Sequence, residues 1–455
     1  MAAKHDITGV RSGGCELLRI LGVIFGLAVV VGGIVGQGIM RTPGIVAGAL
    51  PSPLLIMGIW TLGGLMILID ACATVELGAS MPRSGGPYVF AERAFGASWG
   101  TMLGWADWLN WTLAIAYISV VFAEYAQRLG LGASLPEGVL AVLLIGCVGL
   151  INWSGTRNSG MSQVIGSAIK GFGLLALIAV LWIAPAASHH AAEHASRLAS
   201  GTGPLLSIAA FAIAIRAVAI TYGGWASCVY FCEELHRPER NVVRATFGGI
   251  LLVIMLYLGV NAALLHVLSP VEIAASKLPV ADAAAAVLGP ASGTVITLLA
   301  IFSVVAICNL FVMSASRIGF AMARNRVLPA MLSQVSPSGT PRVALLFTAG
   351  AAAVLASSGG YERLIAIGAP FTLGITAVCN LAAIRMRFKE PQLPRPFKMP
   401  LFPLPAIFGF TVNALLVGAV FYEDPFHSSL GVGLVLAIGA MMKLREFMTE
   451  RRVAV

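Results

Sequence analysis

Two clusters of glycines and four isolated charges are the residues of this 455-residue chain with the type and spacing to do chemistry. The first cluster reads Val31-Gly-Gly-Ile-Val-Gly36-Gln37-Gly38-Ile-Met-Arg-Thr-Pro43, and the second reads Ile220-Thr221-Tyr222-Gly223-Gly224-Trp225. Both lie within apolar runs, where glycine disfavours a continuous helix by roughly 1 kcal/mol relative to alanine. A helix broken there frees N–H groups that can hold an anion and C=O groups that can hold a cation. Lys170, Arg216, Asp70 and Asp107 stand alone in other apolar runs, and each needs a partner. A further pattern, His190-Ala-Ala-Glu193-His194, has the spacing of an inverted zinc-protease motif. It lies in a short Ala-rich loop after Pro185, and no metal and no catalytic residue is expected there.

The elements that carry these residues follow from composition. The chain is 58% hydrophobic and 11% charged, whereas soluble domains carry about a quarter charged residues. An assembly of soluble domains is excluded. Apolar runs of roughly 20 residues predict an all-α polytopic membrane protein with twelve spans, near 20–40, 54–78, 98–127, 136–151, 160–184, 204–235, 243–267, 291–322, 343–357, 361–384, 403–422 and 428–446. The N-terminus lacks a cleavable-signal pattern, its first apolar run being too long. Of the 29 Lys and Arg, five (Arg41, Arg128, Arg197, Lys277, Arg363) fall on one side and Lys170 and Arg216 fall inside spans. The remaining 22 gather on the side holding both termini, which the positive-inside rule places in the cytoplasm of a cell-membrane protein. The net charge of +9 is thus a topology signal and not a nucleic-acid footprint. Seven scattered cysteines suggest buried thiols without a disulfide frame.

Small residues four apart also serve close helix packing, and the first glycine cluster alone does not separate that reading from a break. A second cluster at the matching place of the next five-span half does, since paired discontinuous helices point to a transporter's midplane site. A half-helix N-terminus would hold a carboxylate and freed carbonyls an ammonium, the two ends of an amino acid. The glycines also look like a dinucleotide loop, but no strand precedes them.

From about residue 20 to 420 the chain resembles the amino acid, polyamine and organocation transporter superfamily, closest to its L-type and bacterial amino-acid exchanger branch. Gly36-Gln37-Gly38-Ile39-Met40 is similar to the signature of span 1, and Ile220 to Trp225 to that of span 6. Glu76-Leu-Gly-Ala-Ser-Met-Pro82-Arg83-Ser-Gly-Gly86-Pro87-Tyr88, Gly104-Trp105 with Trp108, Glu233-Glu234-Leu-His-Arg-Pro238-Glu-Arg240-Asn241, Ala315-Ser316-Arg317 and Leu393-Pro-Arg-Pro-Phe397 follow in family order. The resemblance implies a five-plus-five inverted-repeat fold of the leucine-transporter type with spans 1 and 6 broken and two extra spans. The corresponding organisation is a tail 1–19, a first repeat 20–200 with its outer loop, a second repeat 201–398 with its inner loop, spans 11 and 12 over 399–446 and a tail 447–455.

The same resemblance implies alternating access around one site. Gly36, Gln37 and Gly38 would offer main-chain donors to the substrate carboxylate, and Ile220, Tyr222, Gly223 and Gly224 would frame the ammonium and side chain. Gln37 stands where the family has serine and Ile220 where it has an aromatic, which marks both for substrate choice. Lys170 is similar to the family's span 5 lysine, which in sodium-independent members takes the region of an ion in sodium-coupled relatives. A buried ammonium needs oxygens, and carbonyls freed near Gly36 suit it; it is a cation-site substitute or a proton-linked group. For Arg216 two readings stand, a structural pair with Asp107 or recognition of an acidic side chain. Asp70 has no partner legible in the sequence.

The function expected is sodium-independent amino-acid exchange or proton-linked uptake, with no cofactor and no enzymatic step. The alternatives are a sodium symporter and a nutrient sensor, though the tails leave no room for a soluble output region. Amino acid and membrane lipid are the expected partners. The loop from Arg128 to Pro136 has no cysteine, so a disulfide-linked heavy subunit of the kind L-type members carry is not expected.

Overall fold

The computed structural model describes residues 16–36, 38–184, 208–289, 291–358 and 360–453, with side chains placed to Met441. Among these residues the chain is helical throughout, and its one extended contact is a parallel bridge between Leu21 and Leu235. Span 1 is α1 (Val23–Ile34) and α2 (Gly38–Ala49), span 2 is α3 (Pro53–Ser80), span 3 is α5 (Ala97–Arg128), span 4 is α6 (Glu137–Trp153) and span 5 is α7 (Thr156–Ile183). Span 6 is α8 (Ile208–Thr221) followed by a 3-10 segment (Trp225–Phe231), and span 7 is α9 (Pro238–Val267). The positions predicted for spans 8 to 12 hold α12 (Ser292–Arg324), α13 (Arg342–Ser358), α14 (Tyr361–Lys389), α15 (Leu404–Glu423) and α16 (Pro425–Val453).

Among the described residues, eight helical segments, with Ile208–Phe231 counted as one, are long and apolar enough to cross a membrane, and the bent pair α1 and α2 makes a ninth; α6, α13 and Pro425–Met441 are shorter apolar helices at the other predicted positions. Hydropathy alone did not mark the short connecting helices α4 (Pro87–Phe95), α10 (Pro270–Ala275) and α11 (Pro279–Leu288). Each opens on a proline, whose missing N–H would find no partner in a first turn anyway. In α10 a capping box closes the start. Glu272 accepts from the Ser269 main-chain N–H and hydroxyl, and these bonds hold its carboxyl below the usual range.

Depth in the bundle differs between spans. The apolar window of α5 is 78% buried inside the protein and that of α15 only 22%, so α5 is a central pillar and α15 a peripheral helix with a lipid-facing side. Phe172 and Ile183 on α7 and Leu415 on α15 are exposed in the same sense.

Separate sequence signatures meet at the arginine-rich side. Glu76, from the α3 signature, accepts two 2.6 Å bonds from Arg387 and one from the Met399 N–H, and it lies 3.3 Å from Arg395 of the Leu393-Pro-Arg-Pro-Phe397 run. Glu234 accepts from Arg317 at 2.9 and 3.0 Å with both side chains fully buried, and Thr156 joins them. Glu233 binds Arg324 and the Ser84 N–H. The Leu21 N–H donates to Glu234 O and the His236 N–H to Leu21 O, so the chain entering span 1 is fastened to the end of span 6.

Candidate substrate site

Both glycine clusters fall at interruptions. α1 stops at Ile34, α2 starts at Gly38, and the two are bent by 45°. α8 stops at Thr221 and helical structure resumes at Trp225 as a 3-10 segment. The interruptions cross main chain on main chain. A Cβ on Gly33 would lie 2.8 Å from Gly224 O, and one on Gly224 would run into Gly33 O. Gly224 also has φ of +93°, a conformation that costs a residue with a side chain on the order of 1–3 kcal/mol. Close packing and a helix break are therefore one feature here. Gly224→Ala is expected to lower the detergent melting temperature and abolish transport, whereas Gly58→Ala, whose added Cβ meets nothing, should leave both unchanged; comparing the two by thermal shift and uptake checks this.

Carbonyls freed at the end of α1 are held by side chains. Lys170 Nζ donates to Gly32 O at 2.9 Å and Val35 O at 3.1 Å, and the Tyr257 hydroxyl donates to Ile34 O at 2.9 Å. One turn earlier Ser167 donates to Ala28 O at 2.6 Å. Ser167 continues through Gln163 to Asn309 on α12 and Asn152 on α6, a buried polar ladder that neutral residue types in the sequence did not announce. Span 5 thus grips the first half of span 1.

Beyond the break the other halves meet each other. Thr42 of α2 and Thr221 of α8 are hydroxyl to hydroxyl at 2.6 Å, and a Cβ on Gly38 would sit 2.9 Å from Thr221 Cγ2. Gly36 faces Ile307 of α12, 3.0 Å from where its Cβ would be. At Gly38 α2 begins with first-turn N–H groups that have no partner within the helix and with the positive end of the helix dipole. Tyr222 is fully buried, its ring edge-on to Trp60 and tilted against Tyr257, with its hydroxyl 3.3 Å from Trp60 O. Ile220 is 60% exposed. Gln37 and the stretch His190 to His194 lie outside the described residues. Among those described, no three His, Cys, Asp or Glu side chains are grouped to hold a metal.

The expected pair of Arg216 with Asp107 does not form. Arg216 binds Glu423 at the end of α15, and Asp107 accepts from the Tyr230 hydroxyl at 2.9 Å. Asp107 is ten residues, roughly 15 Å, into α5, which brings it level with the 3-10 segment; Arg216 stands across the break on α8. The Arg216 and Glu423 pair is partly exposed, and such pairs contribute about 0–1 kcal/mol. Arg216→Gln is accordingly expected to fold normally and leave competition by aspartate and glutamate unchanged in uptake assays.

A family model described as amino acid permease matches residues 19–442. The serine/threonine exchanger SteT of Bacillus subtilis (strain 168) is 28% identical over 432 residues, covering 92% of this chain and 95% of that one. The large neutral amino acids transporter small subunit 2 of Homo sapiens is 29% identical over 437 residues, covering 94% and 80%. The Asc-type amino acid transporter 1 of Mus musculus is 27% identical over 425 residues, covering 92% and 80%.

Proposed function

The chain belongs to the amino acid permease family, and we propose that within it the protein exchanges one amino acid for another across the cell membrane without sodium. The reading rests on the Lys170 ammonium, which occupies the Gly32 and Val35 carbonyls at the end of α1. A sodium ion held at that end of α1 would need carbonyl oxygens of this kind, and a fixed cation with two of them already as partners leaves it little to bind and a like charge to oppose. The amino acid sits at the crossing of spans 1 and 6, its carboxylate on the first N–H groups of α2 from Gly38 and its ammonium toward the main chain of 220–224.

Exchange requires both faces to open in turn. The Glu234 and Arg317 pair and the Leu21 bridge to Leu235 close the arginine-rich side, read as cytoplasmic, and Thr42 with Thr221 ties the opposite halves together. Serine, threonine and neutral amino acids named for its relatives are the first substrates to try. The test is release of labelled amino acid from proteoliposomes. Release that depends on amino acid outside and is indifferent to sodium supports the reading; release that needs sodium, or that runs equally without external amino acid, refutes it.

A further inference from the structure

Asp70 is buried in α3, and its hydrogen-bond partners are two neutral amides. Its Oδ1 accepts from Asn380 Nδ2 on α14 at 2.7 Å, and its Oδ2 accepts from Asn413 Nδ2 on α15 at 3.0 Å. Both amides are fixed in orientation, because their second N–H groups go to Thr376 O and Gly409 O; flipping either would set carbonyl against carbonyl. Gly409 makes the room, since a Cβ there would collide with Asp70 Oδ1 and crowd Asn380 to 2.8 Å. All four amide hydrogens are thereby used, yet Asn380 Oδ1 is buried without a donor.

The cluster is one hydrogen short. Its neighbours cannot supply it as a counter-charge. Cys72 and Glu76 share its helix, and Glu76 is committed to Arg387 and Arg395. Cys379 on α14 lies within electrostatic reach of Asp70 and of Asp107 on α5. Span 6 presents Val218 and Tyr222, and span 7 Ile254, to α3 at Gly63 and Gly64. A bare carboxylate in hydrocarbon without a cation is expensive, and a neutral carboxyl is not.

We propose that Asp70, Asn380 and Asn413 form a proton-binding site within the membrane, in which Asp70 carries the proton and the two amides hold its oxygens. A sodium ion fits the same place poorly, because amide N–H groups already point at both carboxylate oxygens. The site links α3, which packs on both parts of span 6, to α14 and α15, so its proton occupancy bears on how span 2 moves against spans 10 and 11. It is independent of the exchange reading.

The test is infrared difference spectroscopy on the purified full chain. The wild type is expected to show a protonated-carboxyl C=O band at neutral pH that Asp70→Asn removes, with no response to exchanging choline chloride for sodium chloride. Asn380→Leu, which keeps Asp70, is expected to shift that band to higher wavenumber, and it decides the matter should the first variant fail to fold. Spectra in which neither variant alters a carboxyl band, or a band that sodium abolishes, overturn the proposal.

Discussion

Lys170→Met is expected to lower sodium-free exchange at least tenfold while leaving a protein that folds and inserts. The ammonium is almost fully buried, and its partners are main-chain carbonyls at the end of α1. Removing the charge relieves its own desolvation, which is why the fold should survive. The Gly32 and Val35 carbonyls are then left unsatisfied at about 1–3 kcal/mol each, and the end of α1 is free to rewind or tilt. A site that depends on the geometry of this break loses its shape. Trans-stimulated uptake and a parallel thermal shift separate the outcomes; a methionine variant that exchanges like wild type would remove Lys170 from the mechanism.

The second large effect concerns the buried Glu234 and Arg317 pair on the arginine-rich side. Arg317→Met strands Glu234 as a buried, unpaired carboxylate, and breaking such a pair from one side costs about 3–5 kcal/mol. The melting temperature should fall sharply. Pairing it with Glu234→Leu removes both charges and should recover much of the stability, because an apolar pair of similar volume is often neutral or better. Transport should not recover with it, since the fastening that closes this side and must release in each cycle is gone. A single Arg317→Met variant as stable as wild type would contradict the account.

These two sites show what was readable in the sequence. Lys170 was legible because a lone charge in an apolar run demands oxygens, and the nearest interrupted backbone supplies them. The breaks were legible because glycine is a poor helix former and recurs at matching places. Glu234 and Arg317 stood in family signatures, but their pairing joins residues 83 apart in sequence, and nothing local announces it. The pairing of Arg216 with Glu423 and of Asp107 with Tyr230 is not legible locally, because Arg216 and Asp107 lie on opposite sides of the break in span 6. The Asp70 cluster was invisible because asparagines in apolar helices carry no charge to match. Short helices such as α4 escaped because they begin at prolines and lie between apolar runs.

The most direct measurement is an electron cryomicroscopy map of the protein saturated with an amino acid that drives exchange. The carboxylate is expected against the first N–H groups of α2 at Gly38, with the ammonium toward the main chain of 220–224 and Lys170 still on Gly32 and Val35. An amino acid seated at the Arg216 and Glu423 pair, or a cation in place of the Lys170 ammonium, would contradict the account.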